Sequence, residues 1–358
     1  SANSKSNNAL QIKTNTPIVG NLTVTNYNDG SANVNAIKLP AQLQAGGTIT
    51  LINEETAIIV DNTASINATD VARNATEITV AGTVNATNDV SLSSNGSMTI
   101  NGNVAASRDA NLTAGSGLSI AGKVTATNAT TLNAGSITVN GKVETTNEKT
   151  TLTSAEITVN GSVNTTIGTT TLTSASDLTL NGSGTVSGKA VNVNAGQDFF
   201  HNGGSISGEN AVITATRNVQ LQGGSIAATN ARVTAGNNMG LASGSIVADT
   251  IALTATSGAI TETNGYVVNA DALNVAAGQG IILSSEANKL KDVVIDNAGG
   301  NVTIASGNDE NDDLNASTAQ GKTVNGSITV TNVAAGSSLN KIVVDKGLQA
   351  SGNITLVN

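Results

Sequence analysis

Ile78-Thr-Val80-Ala-Gly82-Thr-Val84, Met98-Thr-Ile100-Asn-Gly102-Asn-Val104, Leu118-Ser-Ile120-Ala-Gly122-Lys-Val124 and Ile137-Thr-Val139-Asn-Gly141-Lys-Val143 are successive copies of one unit of about twenty residues. Related copies continue across residues 78–283. A fixed period this short is the signature of a solenoid, in which each repeat buries its apolar face only against its neighbours.

Three apolar columns carry the register. One follows the glycine: Val84, Val104, Val124, Val143, Val163, Val186, Ile206, Ile226, Ile246 and Val267, in steps of 20, 20, 19, 20, 23, 20, 20, 20 and 21. A second is Leu92, Leu112, Leu132, Leu152, Leu172, Val193, Ile213, Val233, Leu253 and Leu273. The third is Ile78, Met98, Leu118, Ile137, Ile157, Leu178, Phe199, Val219, Met239 and Ile260. Each column is expected to stack on itself inside the molecule, with Leu152 inward and Thr151 outward.

Within the unit, segments such as Ile-Thr-Val and Leu-Thr-Ser alternate apolar and small polar residues with period two and are rich in β-branched residues, which suits a half-buried strand. No helix-length window places apolar residues at i, i+3, i+4 and i+7. The expected fold is all-β: a parallel β-helix solenoid of about 20 residues and three short strands per coil. Corners are expected at Asn101-Gly102 and Asn140-Gly141, where Gly or Asn takes a left-handed conformation.

The repeat divides the chain into three expected segments. Residues 1–56, with Pro17 and Pro40, read as irregular coils or a cap, and Ala9-Leu-Gln-Ile12 as a segment able to donate a strand to another chain. Residues 57–283 are the regular shaft. Residues 284–358 are less regular coils carrying an acidic loop, 307–313. The chain opens on Ser1 with no basic-then-apolar leader, which reads as a mature product or a cut fragment.

Composition agrees with a narrow tube. Apolar residues make up 38% but aromatics only 1%, since a slender core takes stacked Val, Ile, Leu and Ala and leaves little room for rings. Charged residues are 11%, less than half the usual share, so Thr, Asn, Ser and Gly form the wall. A net charge of −9 with no basic patch disfavours nucleic acid and anionic membrane as partners. No apolar run is long enough for a transmembrane helix. There is no cysteine, which leaves the redox compartment open.

Chemistry-bearing residues are sparse. His201 is the single histidine, which excludes histidine clusters and leaves little for a catalytic triad; beside Phe199 and Phe200 it marks a swollen coil or corner. Asp309, Asp312 and Asp313 are the candidate calcium ligands, hard oxygen donors at close spacing but without the glycine and final glutamate of an EF-hand loop. Asp89 and Asp109 stand one coil apart, the nearest approach to a carboxylate pair for glycoside chemistry, with no aromatic platform beside them. Other acids of the shaft, Glu144, Glu148, Glu156 and Asp177, are scattered. Asn-x-Ser/Thr occurs fourteen times, at Asn85, Asn111, Asn128 and Asn164 among others, close to what this composition gives by chance. No cofactor motif is present.

The tandem units, such as Val124-Thr-Ala-Thr-Asn-Ala-Thr-Thr-Leu132-Asn-Ala-Gly-Ser-Ile137-Thr-Val139-Asn-Gly141, resemble the shaft repeats of filamentous-haemagglutinin-like and high-molecular-weight adhesins of the two-partner secretion type. The resemblance implies a right-handed β-helix, export through an outer-membrane secretion partner, and an extracellular place on a bacterial cell surface. The Asn-Pro-Asn-type motifs of that family's secretion domain do not occur here. The expected function is a non-enzymatic structural or adhesive fibre in cell adhesion or biofilm. Its partners would be a host or neighbouring-cell surface, a matrix polysaccharide, and further copies of itself joined end to end. The alternatives are a polysaccharide-acting β-helix enzyme, which needs a lateral cleft of clustered Asp, Lys or Arg, and an ice-binding solenoid, which needs matched threonine ranks on one flat face.

Overall fold

A computed structural model describes residues 10–12, 16–26, 36–263, 265–308, 312–333 and 340–358. Among them every regular element is a β-strand, and the strands pair in parallel with the next turn of the chain. The fold is a β-solenoid with a spacing of about 20 residues per turn. The chain forms two compact units, Ser1–Thr173 and Ser174–Asn358.

In the first unit a coil has three sides. Strand Met98–Ile100 forms one, Asn103–Ala106 the next, and residues 109–114 of strand Asp109–Ile120 the third. The third side runs into the following first side without a break in Asp109–Ile120, Ala129–Val139 and Lys149–Val159, so these coils hold two strands on three sides. On the first side Ile37, Ile58, Ile78, Met98, Leu118, Ile137 and Ile157 stack in register. On the second side Leu43, Ile66, Val84, Val104, Val124, Val143 and Val163 do the same. All fourteen are buried. Period-two alternation puts Leu152 at 0% exposure while Thr151 beside it faces outward and is half-buried. Leu10–Gln11, in the segment read as a strand donor, pairs with Ile37–Lys38 of its own chain; Ala9 lies outside the described residues.

In the second unit Leu178, Phe199, Val219, Met239 and Ile260 stack as expected. The last members of the other two columns are different. Ile246 pairs with Val268, not Val267, and Leu253 pairs with Val275, not Leu273. The step at this coil is therefore 22 residues, the extra residues being taken up on either side of strand Ile260–Glu262. Val267 is half-buried and faces outward, whereas Leu273 is still buried because a slip of two residues preserves the face. Leu273 stacks on Ile251 instead.

The corners fall at Asn101-Gly102 and Asn140-Gly141 as expected, but their glycines are not left-handed. Gly102 and Gly141 are not among the positive-φ glycines; Gly182, Gly204, Gly224, Gly244, Gly265, Gly321 and Gly347 are. What requires glycine at these corners is the coil beneath. A Cβ on Gly102 would lie 1.9 Å from the carbonyl oxygen of Gly82, one on Gly122 1.9 Å from that of Gly102, and one on Gly141 1.9 Å from that of Gly122. Backbone stacks on backbone, with the Gly102 and Gly122 amides donating to Val80 and Ile100 at 2.9 Å.

Candidate functional site

The residues that carry chemistry serve mainly to join one coil to the next. At the entry to the third side, Asp70 Oδ1 accepts the amide of Asp89 at 3.1 Å, Asp89 Oδ1 that of Asp109 at 3.1 Å, and Asp109 Oδ1 that of Ala129 at 3.1 Å. Arg108 donates to both oxygens of Asp89 and lies 3.4 Å from Asp109. The carboxylates read as a potential catalytic pair are thus both hydrogen-bonded caps of the next coil, with a guanidinium as counter-ion. The second unit repeats the device at the entry to its first side. Asp177, Asp198, Asn218 and Asn238 cap the amides of Asp198, Asn218, Asn238 and Ala259 at 3.0–3.2 Å, and Arg217 pairs with Asp198. Burial works against the Asp198 carboxylate, but the bonds from Arg217 and Asn218 win and hold its pKa below the usual value. Glu144 pairs with Lys123 at 2.8 Å, across exposed side chains.

Asparagine side chains form a second set of rungs. Asn85 donates to Asn67 at 3.0 Å, Asn160 to Asn140 at 2.7 Å, Asn202 to Asn181 at 2.9 Å and Asn230 to Asn210 at 3.1 Å. Inside the first unit Thr130, Thr145, Thr150, Thr165 and Thr170, exposed by 1% or less, link hydroxyl to hydroxyl at 2.7–2.8 Å. Thr130 and Thr150 continue a column that runs through Val90 and Ala110, and Thr145 and Thr165 one that runs through Ala86, Ala106 and Ala126. A hydroxyl is accommodated there because the next threonine satisfies it.

His201 lies on a strand rather than at a corner. It faces inward between Leu180 and Leu221 at 1% exposure, its ring stacked 6.2 Å from Phe199. Burial pushes its pKa down to about 4, against hydrogen bonds with Gly204 and Gly203. Of the candidate calcium ligands, Asp309 lies outside the described residues. Asp313 accepts the amide of Lys341 at 2.9 Å, and Asp312 adds its charge to that of Asp271 in raising the pKa of Lys291. No group of three metal-binding side chains occurs among the described residues.

Two buried ionisable groups are visible only once the columns are aligned. Arg73 stands between Leu51 and Leu92, with all three guanidinium nitrogens buried and unpartnered among the described residues; burial lowers its pKa to about 9. Glu262 follows Leu241 in its column, accepting the Ser285 amide at 2.8 Å and the Asn288 side chain at 3.0 Å, with its pKa raised by burial. The hydroxyl of Tyr266 is buried and unpartnered, and burial together with the Glu262 charge raises its pKa. A reading of the sequence in columns would have flagged Arg73 and Glu262 as the polar members of leucine rows.

Among the described residues, concavities indent the walls of both units. One, of about 400 Å³, runs over four coils of the first unit past Asn85, Ala105, Thr125 and Glu144. Another, of about 600 Å³, lies in the second unit between Val294, Thr318, Gln320, Lys346 and Gln349. The outward rank Thr79, Thr99, Ser119, Thr138 and Thr158 carries a hydroxyl on five successive coils. Beside it stand Glu77, Ser97, Gly117, Ser136 and Glu156, so the rank is one residue wide. No helix among the described residues is long and apolar enough to cross a membrane. No protein-family model, curated protein or solved structure matches this chain.

Proposed function

We propose that this chain is a non-enzymatic structural shaft of an extracellular adhesive fibre, displayed on a bacterial cell surface or in a biofilm matrix. The observation that carries the reading is the use of the polar side chains: Asp, Asn and Thr residues that would form a site in a globular enzyme are instead repeated rungs between coils. Such rungs tie each stacked backbone to the next, which suits a rigid spacer. The repeats' resemblance to filamentous-haemagglutinin-like shafts points the same way, and an outer-membrane secretion partner follows from it. The fibre's targets would be a host or neighbouring-cell surface or a matrix polysaccharide.

Two measurements test the proposal. Cells displaying the chain should bind neighbouring cells or polysaccharide-coated surfaces more than cells without it, and equal binding rejects the adhesive role. Incubation with a panel of polysaccharides should leave their chain lengths unchanged. Depolymerisation that disappears in Asp89→Asn would replace the spacer with an enzyme.

A further inference from the structure

Eight Asn-Gly pairs occur in this sequence, at Asn95, Asn101, Asn140, Asn160, Asn181, Asn202, Asn264 and Asn325. Such pairs are chemically labile when the glycine amide is free to turn onto the asparagine side chain. In four of them that amide is occupied. Gly96 donates to Thr76 at 2.7 Å, and Gly102, Gly141 and Gly161 donate to Val80, Ile120 and Val139 at 2.9 Å. Gly203 lies within strand Phe199–Ala215. The Gly326 amide makes no hydrogen bond among the described residues, but this glycine is packed against the coil beneath, its Cβ position 2.8 Å from the backbone of Asn301. Asn264 lies outside the described residues.

Gly182 is different. Two residues separate strand Met98–Ile100 from Asn103–Ala106, but four separate Leu178–Leu180 from Thr185–Ser187. The longer corner closes as a turn, with Gly184 donating to the Asn181 carbonyl at 2.7 Å and Gly182 held at φ +48°. The Gly182 amide makes no hydrogen bond among the described residues, and nothing lies within 4 Å of its Cβ position. We propose that Asn181 is a site of spontaneous deamidation in the folded protein, through a succinimide formed with the Gly182 amide.

The chemistry needs only water. The Gly182 nitrogen gives up its proton to solvent base and bonds to Cγ of Asn181; the Cγ–Nδ2 bond breaks and the nitrogen leaves as ammonia. Water then opens the five-membered ring at either carbonyl, giving aspartate or isoaspartate at position 181. No oxidant or reductant enters. The corner tolerates the product's charge: the Asn202 amide, now 2.9 Å from Asn181 Oδ1, donates equally well to a carboxylate oxygen.

The chain supplies its own control. Asn160-Gly161-Ser162 and Asn181-Gly182-Ser183 are the same tripeptide, so their intrinsic reactivity is matched and only the fold separates them. The folded protein is aged in mildly alkaline buffer made with ¹⁸O-water, digested and mapped by mass spectrometry. The peptide bearing Asn181 should take up ¹⁸O as aspartate and isoaspartate several-fold faster than those bearing Asn101, Asn140 and Asn160. In the urea-unfolded chain Asn160 and Asn181 should react at similar rates. Native rates at Asn181 equal to or below those at Asn160 overturn the proposal, as does an Asn181 lead that is just as large in the unfolded chain.

Discussion

Arg73 is the residue at which the repeat departs furthest from its own rule. It takes a leucine's place between Leu51 and Leu92 and buries a guanidinium without a partner among the described residues. Taking that charge from water costs energy that no hydrogen bond returns, so Arg73→Leu should stabilise the protein by about 1–4 kcal/mol. A urea midpoint that fails to rise would show that the guanidinium reaches solvent. His201, also in a leucine column, makes stability depend on pH. Its folded pKa of about 4 lies below the ordinary 6.5, so the unfolded chain takes up a proton over that window and the folded chain does not. The histidine therefore lowers stability progressively as pH falls from 6.5 to about 4. Glu262, raised above its ordinary 4.5, acts in the opposite sense as pH rises past that value, so the test is a difference. His201→Leu should flatten the fall in Tm between pH 6.5 and 4 relative to the parent; identical profiles would place the titration elsewhere.

At the scale of one element, the glycine corner shows how close stacking replaces conformational freedom as the reason for glycine. The Cβ of an alanine at position 122 would fall 1.9 Å from the Gly102 carbonyl oxygen and 2.5 Å from that of Asn101. Neither oxygen can retreat without parting two coils. Gly122→Ala is expected to cost well over 1 kcal/mol, the reverse of the gain a compatible Gly-to-Ala change brings. Thermal unfolding reads this directly, and a Tm at or above the parent's would mean the corner can open. The side-chain ladders work at the same scale: each Asp or Asn cap satisfies an amide one coil on, and each buried threonine of the first unit satisfies another.

At the largest scale, the decisive property is that within each unit a coil touches only its neighbours, so length is adjustable in units of one coil. Val104 and Val124 occupy equivalent positions in adjacent turns. Deleting residues 105–124 removes one turn and joins equivalent points, so the first unit should keep its β-type circular dichroism and a cooperative transition at modestly lower Tm. Deleting residues 105–114 removes half a turn, throws every later column onto the wrong side, and should abolish the transition. Equal behaviour of the two deletions would contradict a modular stack.

What the sequence determined by itself was the periodic part. Ile78, Met98, Leu118, Ile137 and Ile157 specify the first side because a column of β-branched and aliphatic residues at fixed spacing has one parallel register that buries all its members. It also marked Asp89 and Asp109 as neighbours, but not what they hold: a cap on a backbone amide depends on where the next coil lies, which no local pattern records. The register at Val268 and Val275 was equally hidden, since an irregular corner shifts the count while alternation continues unchanged. The same is true of Gly182, whose tripeptide is repeated at Gly161. Only the packed structure decides that one amide is bonded to Val139 and the other is free, because hydrogen-bond partners in a solenoid come from the adjacent turn and not from the adjacent residue.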